Sequence, residues 1–258
     1  MLELFSDPYL LLTLSIIGFV AGFIDAIAGG GGLLTVPVLL ASGLPPHIAL
    51  GTNKLAACFG SLTASVTFFR KKLFNPIFWL YAALATALGA ATGTLVVNMI
   101  SAEYLNKALP IIILVCALYT LTSKAVSDDA KQLPSNTLLT KVKQSVQGFV
   151  LGFYDGAAGP GTGTFWVVSN LALYKMNILL SSGLARSMNF ISNFVSLLTF
   201  IYFAQVNFVL GIAMGLFMIL GSWLGAHSAI RYGGKFVRPV FIFIVVLIAA
   251  KLAYSAWF

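Results

Sequence analysis

Two stretches of the chain are copies of one another, and each ends in residues that a helix interior rejects. From Gly18 the chain reads Gly-Phe-Val-Ala-Gly-Phe-Ile-Asp-Ala-Ile-Ala-Gly-Gly-Gly-Gly32, and from Gly148 it reads Gly-Phe-Val-Leu-Gly-Phe-Tyr-Asp-Gly-Ala-Ala-Gly-Pro-Gly-Thr162. At an offset of 130 residues, nine of the fifteen positions are identical. Each copy is an apolar run with a single aspartate, Asp25 or Asp155. In a helix interior Gly costs roughly 1 kcal/mol and Pro roughly 3 kcal/mol. The runs at 29–32 and 159–163 therefore break the helices that lead into them.

The setting makes such a break expensive. Of the 258 residues, 59% are hydrophobic and 9% charged, whereas a soluble domain carries about 25% charged residues. The chain reads as an all-α polytopic membrane protein, in which each span needs about 20 apolar residues and must satisfy its own backbone. A helix broken inside the bilayer frees N–H and C=O groups that need a partner. Lys and Arg number 15 against 7 Asp and Glu, an excess that fits the positive-inside bias of cytoplasmic loops. Cys58 and Cys116 lie in apolar segments and read as small core residues. Glu3 and Asp7 precede the first apolar run with no Lys or Arg, so the first span is expected to remain in the mature protein.

The duplication organises the whole chain. Residues 10–28 read as an apolar helix, followed by the break, a short piece at 33–41, and full spans at 49–69, 77–100 and 105–122. A polar linker at 124–141 separates repeat 1 (1–123) from repeat 2 (142–258). The second repeat runs through a helix at 142–158, its break, a short piece at 164–174, and spans at 181–203, 206–229 and 236–257. Leu109-Pro110-Ile111 and Arg238-Pro239-Val240 fall at corresponding places. Arg70, Lys71 and Lys72 put the 70–76 loop in the cytoplasm, while its counterpart around Ala204 and Gln205 is uncharged. Conversely, Arg231, Lys235 and Arg238 mark the counterpart of the 101–107 loop. Basic loops thus alternate between the halves, as in two inverted repeats, with the linker inside and the N-terminus outside. Each broken segment must then return to the side it left, as a re-entrant hairpin or as a down-and-up pair. Inverted repeats with broken helices are the architecture of secondary transporters.

Polar residues gather in the helix after each break. Thr52, Asn53, Lys54 and Ser61 serve the first half, and Arg186, Ser187, Asn189 and Asn193 the second. Asn189 and Asn193 share a helical face, with Arg186 three residues before. Lys54 and Arg186 either snorkel to headgroups or supply fixed positive charge to an anion. The second reading gains from the breaks, because helix N-termini offer free N–H groups and partial positive charge to an oxyanion. Gly30, Gly31, Gly32, Gly161, Thr162 and Gly163 would provide those ends, glycine allowing close approach to the backbone. Asp25 and Asp155 either neutralise the two cations, cap a half-helix, or titrate and couple transport to protons. His47 and His227 have no second ligand at metal spacing and read as structural. No nucleophile–base pair or metal motif suggests an enzyme or a cofactor. Expected partners are a small anionic substrate, the lipid bilayer and, if the aspartates titrate, protons. A homo-oligomer is compatible with the sequence, and nothing suggests nucleic acid. Transport of another small anion, or of a divalent cation through Asp25 and Asp155, is the alternative.

These residues resemble the TauE/SafE sulfite exporter family, and within it the YfcA-like branch. The resemblance rests on Gly22-Phe-Ile-Asp-Ala-Ile-Ala-Gly-Gly-Gly-Gly-Leu-Leu-Thr-Val-Pro37 and Gly51-Thr-Asn-Lys-Leu55 in the first half. In the second half it rests on Gly152-Phe-Tyr-Asp-Gly156, Gly159-Pro160-Gly161 and the pair Asn189 and Asn193. It implies a multi-pass carrier of the bacterial inner membrane, an exporter or permease for sulfite, sulfoacetate, thiosulfate or related organosulfonates. Arg186 stands where related chains place Lys, and its planar fork still suits an oxyanion.

Overall fold

The structure is a computed structural model that describes residues 8–105, 107, 111, 133–233 and 239. Among the described residues are eight helices: α1 (Pro8–Ala28), α2 (Gly32–Ala41), α3 (Pro46–Arg70), α4 (Leu80–Met99), α5 (Leu138–Ala157), α6 (Thr162–Tyr174), α7 (Ile178–Tyr202) and α8 (Phe208–Tyr232). The helical reading of the sequence holds, and four of these (α1, α4, α7 and α8) are long and apolar enough to cross a membrane. At 25 residues, α3 spans about 38 Å, but Thr52, Asn53, Lys54 and Ser61 lower its hydropathy. One boundary moves. The linker gives up residues 138–141 to α5, because the Thr137 side chain accepts the Thr140 N–H and caps a helix that starts at Leu138. The spans expected at 105–122 and 236–257, with Cys116, lie outside the described residues except at isolated positions, as does the first half of the linker (124–132).

Both breaks form where the glycines are. After α1 the chain turns at Gly29 (φ 88°), and after α5 it turns at Gly159 (φ 91°) and Gly161 (φ 81°). These left-handed conformations suit glycine, which has no Cβ to clash. The helices that follow are short. α2 has 10 residues, about 15 Å at the helical rise and half of a hydrocarbon core.

Glycine contacts fix how the long helices lie. An added Cβ would meet Met214 at Gly18, Met218 at Gly22, Phe19 at Gly221 and Phe23 at Gly225, all at 2.0–2.6 Å from a carbonyl oxygen. The pairing advances along both chains together, so α1 and α8 are parallel. The same four contacts recur between α5 and α4: Gly148 on Ala82, Gly152 on Thr86, Gly89 on Phe149 and Gly93 on Phe153. Every α1 position maps to α5 by adding 130, and every α4 position maps to α8 by adding 132. The helix α3 is antiparallel to α7, since Gly51 packs on the Gln205 carbonyl while Ser65 hydrogen-bonds Ser187 at 2.8 Å. It is parallel to α8, where Thr52 accepts the Asn207 N–H (2.9 Å) and Phe59 covers Gly215. Leu73 packs on Gly183 and the Thr86 hydroxyl reaches Met188 Sδ (3.7 Å), so α4 runs with α7. Helices α1, α3 and α8 therefore point one way, and α4, α5 and α7 the other. Since α1 and α3 agree in direction, α2 carries the chain back toward the end from which α1 started.

Candidate functional site

The two breaks meet. A Cβ at Gly29 would lie 2.4 Å from the Gly163 carbonyl carbon, and one at Gly32 would lie 3.3 Å from Pro160 Cα. No side chain fits between these tips, which explains why residues 29–32 and 159–163 are so rich in glycine. Behind them cross α3 and α7. Lys54 is the ninth residue of the first and Arg186 the ninth of the second, counting from Pro46 and Ile178. The two cations thus occupy corresponding places in antiparallel helices.

Each cation faces the aspartate of the opposite half. Lys54 Nζ donates to Asp155 Oδ1 at 2.8 Å and to the Asp155 carbonyl. The Asp155 carboxylate also accepts from the hydroxyls of Thr162 (3.2 Å) and Ser192. Arg186 Nη1 donates to the Asp25 carbonyl and lies 3.6 Å from Asp25 Oδ2, while Asp25 Oδ1 accepts the Gly31 N–H at 3.1 Å. Asp25 thus holds the first orphan donor of α2 as well as an arginine. The Lys54 and Arg186 side chains are 1% and 0% exposed, so neither snorkels to a headgroup. A buried charge is tolerated only when paired, and two carboxylates against two cations leave this junction neutral.

Between the tips is a small cavity of about 20 Å³, lined by Asp25, Gly31, Gly32, Asn53, Ala57, Asp155, Gly161, Gly163, Asn189, Asn193 and Met218, among others. That is room for roughly one water. Lys54 and Arg186 stand against its wall, 3.1 Å and 2.8 Å from where a Cβ would begin on Gly159 and Gly163.

The structure thus gathers most of the residues singled out from the sequence, though not all in one role. Asn53 accepts a hydrogen bond from Thr35 and faces the cavity. Thr162 is turned to Asp155 and to the Gly159 carbonyl. Ser187 points elsewhere, donating to the Gly183 carbonyl and meeting Ser65 across the α3–α7 contact. Gly30 does not line the cavity, and a Cβ there would touch only Leu33 and Ile24. His47 bonds the Val97 carbonyl and His227 the Trp223 carbonyl, both away from the junction. Two participants escaped the sequence reading. Thr35 is the one polar side chain of α2, and Ser192 sits on the Asn189 side of α7, three residues on. Either could have been found by asking which hydroxyls share a face with the flagged residues.

Comparison with known proteins identifies relatives along nearly the whole chain. A probable membrane transporter protein of Haemophilus influenzae is 41% identical over 251 residues, covering 96% of this chain and 97% of its own. The probable membrane transporter protein YfcA of Escherichia coli K12 is 34% identical over 250 residues (97% and 92%). A probable membrane transporter protein ORF9 of a Sinorhizobium species is 34% identical over 247 residues (95% and 92%). No solved structure matches. The family model for the sulfite exporter TauE/SafE covers residues 14–252. With that coverage and those relatives, the chain belongs to the TauE/SafE family of membrane transporters.

Proposed function

We propose that this transporter is a secondary carrier built from two inverted repeats, and that it moves small sulfur-containing anions across the bacterial inner membrane. Sulfite, sulfoacetate, thiosulfate and related organosulfonates are the candidate substrates. The observation that carries this reading is the crossed pairing: Lys54 of one half on Asp155 of the other, and Arg186 on Asp25, at the point where both broken helices end. Support for the inverted arrangement comes from the doubled glycine contacts and from corresponding helices that point in opposite directions.

An arriving oxyanion competes with the two carboxylates for the cations and for the N–H groups of the α2 and α6 ends. Where it wins, it replaces contacts that hold one half to the other. The closed form then loses its advantage over forms open to either side, since a ligand shifts a conformational equilibrium only through differential contacts. Rocking of the halves about the α3–α7 crossing exposes the anion to one face and then the other. Both carboxylates already lean on cations, which disfavours the reading in which they bind a divalent metal. Reconstituted in liposomes, wild-type protein should carry sulfite or sulfoacetate, and Lys54→Ala and Arg186→Ala should each abolish the flux while the chain stays folded. Undiminished flux in either variant would remove the anion reading.

A further inference from the structure

The two halves share a frame but differ sharply in one buried region. Between α5, α6 and α7 lies a polar cluster. Gln147 Nε2 donates to Ser169 Oγ (2.7 Å) and Asn170 Oδ1 (2.8 Å), and Asn170 Nδ2 donates to the Ser181 carbonyl (3.2 Å). Gln144 is one turn before Gln147, and Ser182 is one turn before Arg186. Except for half-buried Ser169, these residues are buried, with Gln144 and Ser182 at 1% and Asn170 at 0% exposure. Gln144 Oε1, Gln147 Oε1, Ser181 Oγ, Ser182 Oγ and the Nε and Nη2 of Arg186 have no hydrogen-bond partner. Buried polar atoms are rarely left so, and in an apolar protein the cost is larger still.

The other half shows that the fold does not need them. At the same offsets stand Leu14, Ile17 and Leu40 for Gln144, Gln147 and Asn170, and Ala49 and Leu50 for Ser181 and Ser182. Leu14, Leu40 and Ala49 pack together in one hydrocarbon cluster, and Leu50 is buried in the next. The helices correspond, but one lining is closed with leucine, and the other is stocked with amides and hydroxyls that want water. From these we infer that a hydrated access path runs from the end of the bundle where α5 and α7 begin, through Gln144, Gln147, Asn170, Ser181 and Ser182, to the free face of Arg186. The inference rests on the carrier reading for what travels along the path, a small hydrated oxyanion that neutral amides and hydroxyls can follow. It commits Arg186, whose guanidinium keeps two unpartnered nitrogens, to meet that anion first. Lys54, held by the Asp155 carboxylate and carbonyl, follows.

Thiol accessibility tests it without any substrate. In a full-length Cys58→Ala, Cys116→Ala background, Ser182→Cys and its mirror Leu50→Cys are each treated with a small charged methanethiosulfonate from both faces of membrane vesicles. Ser182→Cys should react faster by roughly tenfold or more, the gap expected between a hydrated position and one that needs local opening. It should do so from the face that carries the linker. Equal rates, protection of both, or faster reaction of Leu50→Cys would overturn the path. Should Ser182→Cys fail to fold, Ser181→Cys against Ala49→Cys makes the same comparison. Labelling as expected in a protein that moves no sulfur oxyanion would leave the path standing and remove the substrate.

Discussion

Removing the Asp155 carboxylate alone should damage the fold more than removing it together with its partner. The side chains of Lys54 and Asp155 are 1% and 3% exposed, and their charged atoms are 2.8 Å apart. Stranding one member of such a buried pair costs about 3–5 kcal/mol. Thr162 and Ser192 also lose an acceptor, but each keeps a backbone carbonyl, so their share is small. For a chain of this size about 1 kcal/mol corresponds to roughly 2–4 °C in melting temperature. Asp155→Ala should therefore melt about 6–20 °C below the wild type. Exchanging a buried pair for apolar residues of similar volume is often near neutral. The Lys54→Met, Asp155→Leu double variant should accordingly melt within about 5 °C of the wild type. The assay is thermal unfolding of the purified full chain in detergent, read by a fluorogenic thiol reagent as buried Cys58 becomes exposed. The double variant should also have lost sulfite flux, which separates holding the halves together from holding the anion. The reasoning fails if Asp155→Ala melts with the wild type, or if the two substitutions add, since independent costs mean that the two groups do not touch.

The contact of the two tips can be weighed against backbone strain with three glycines. Gly43→Ala imposes a left-handed alanine where nothing lies within 4 Å, Gly163→Ala imposes a clash at ordinary φ, and Gly29→Ala imposes both, so Gly29→Ala should melt lowest; a wild-type melt for Gly163→Ala would show that the tips do not meet. Ser187→Ala should keep full sulfite flux because its hydroxyl serves the α3–α7 contact, whereas Asn189→Ala and Asn193→Ala, which open the cavity wall, should lose it. Equal losses at the three positions would place the pathway elsewhere. Finally, sulfite loaded inside liposomes should leave without any anion outside; efflux that requires an external anion would contradict a carrier able to close empty.

What the sequence disclosed and what it withheld have physical explanations. The breaks were visible because glycine and proline act locally, through backbone conformation, so 29–32 and 159–163 announced themselves without any partner. The helix starts were less visible. Thr137 caps α5 through an ordinary threonine inside a polar stretch, where many residues could have served. Lys54 and Arg186 stood out as charges in apolar helices, but whether they faced headgroups or each other's aspartates depended on how α3 crosses α7. That crossing is a long-range fact, set by close approaches such as Gly51 on Gln205 and Gly183 on Leu73. Ser187 shows the limit from the other side. It is next to Arg186 in sequence, yet one residue is about 100° of helix, enough to turn it toward α3.

For the proposed carrier, the neutrality of the junction bears on how it returns. A site built of bare cations would be stable only when filled, because an unpaired buried charge costs several kcal/mol. Such a carrier could close around an anion but not around nothing. Here the aspartates of each half would take the place of the proposed anion when it is absent, and the cavity is the size of about one water. A closed empty form would then be a low-energy state rather than a barrier, and such a carrier could reset without a counter-substrate. The same neutrality sets a limit on affinity, since every anion must first displace a carboxylate. Asp25 is the easier of the two to displace: its carboxylate is 3.6 Å from Arg186, against 2.8 Å for Asp155 and Lys54, and it draws on one backbone N–H where Asp155 draws on two hydroxyls. The two pairs are thus unequal. In the proposed carrier the weaker pair would yield to the anion, and the stronger would keep the halves in register while it does.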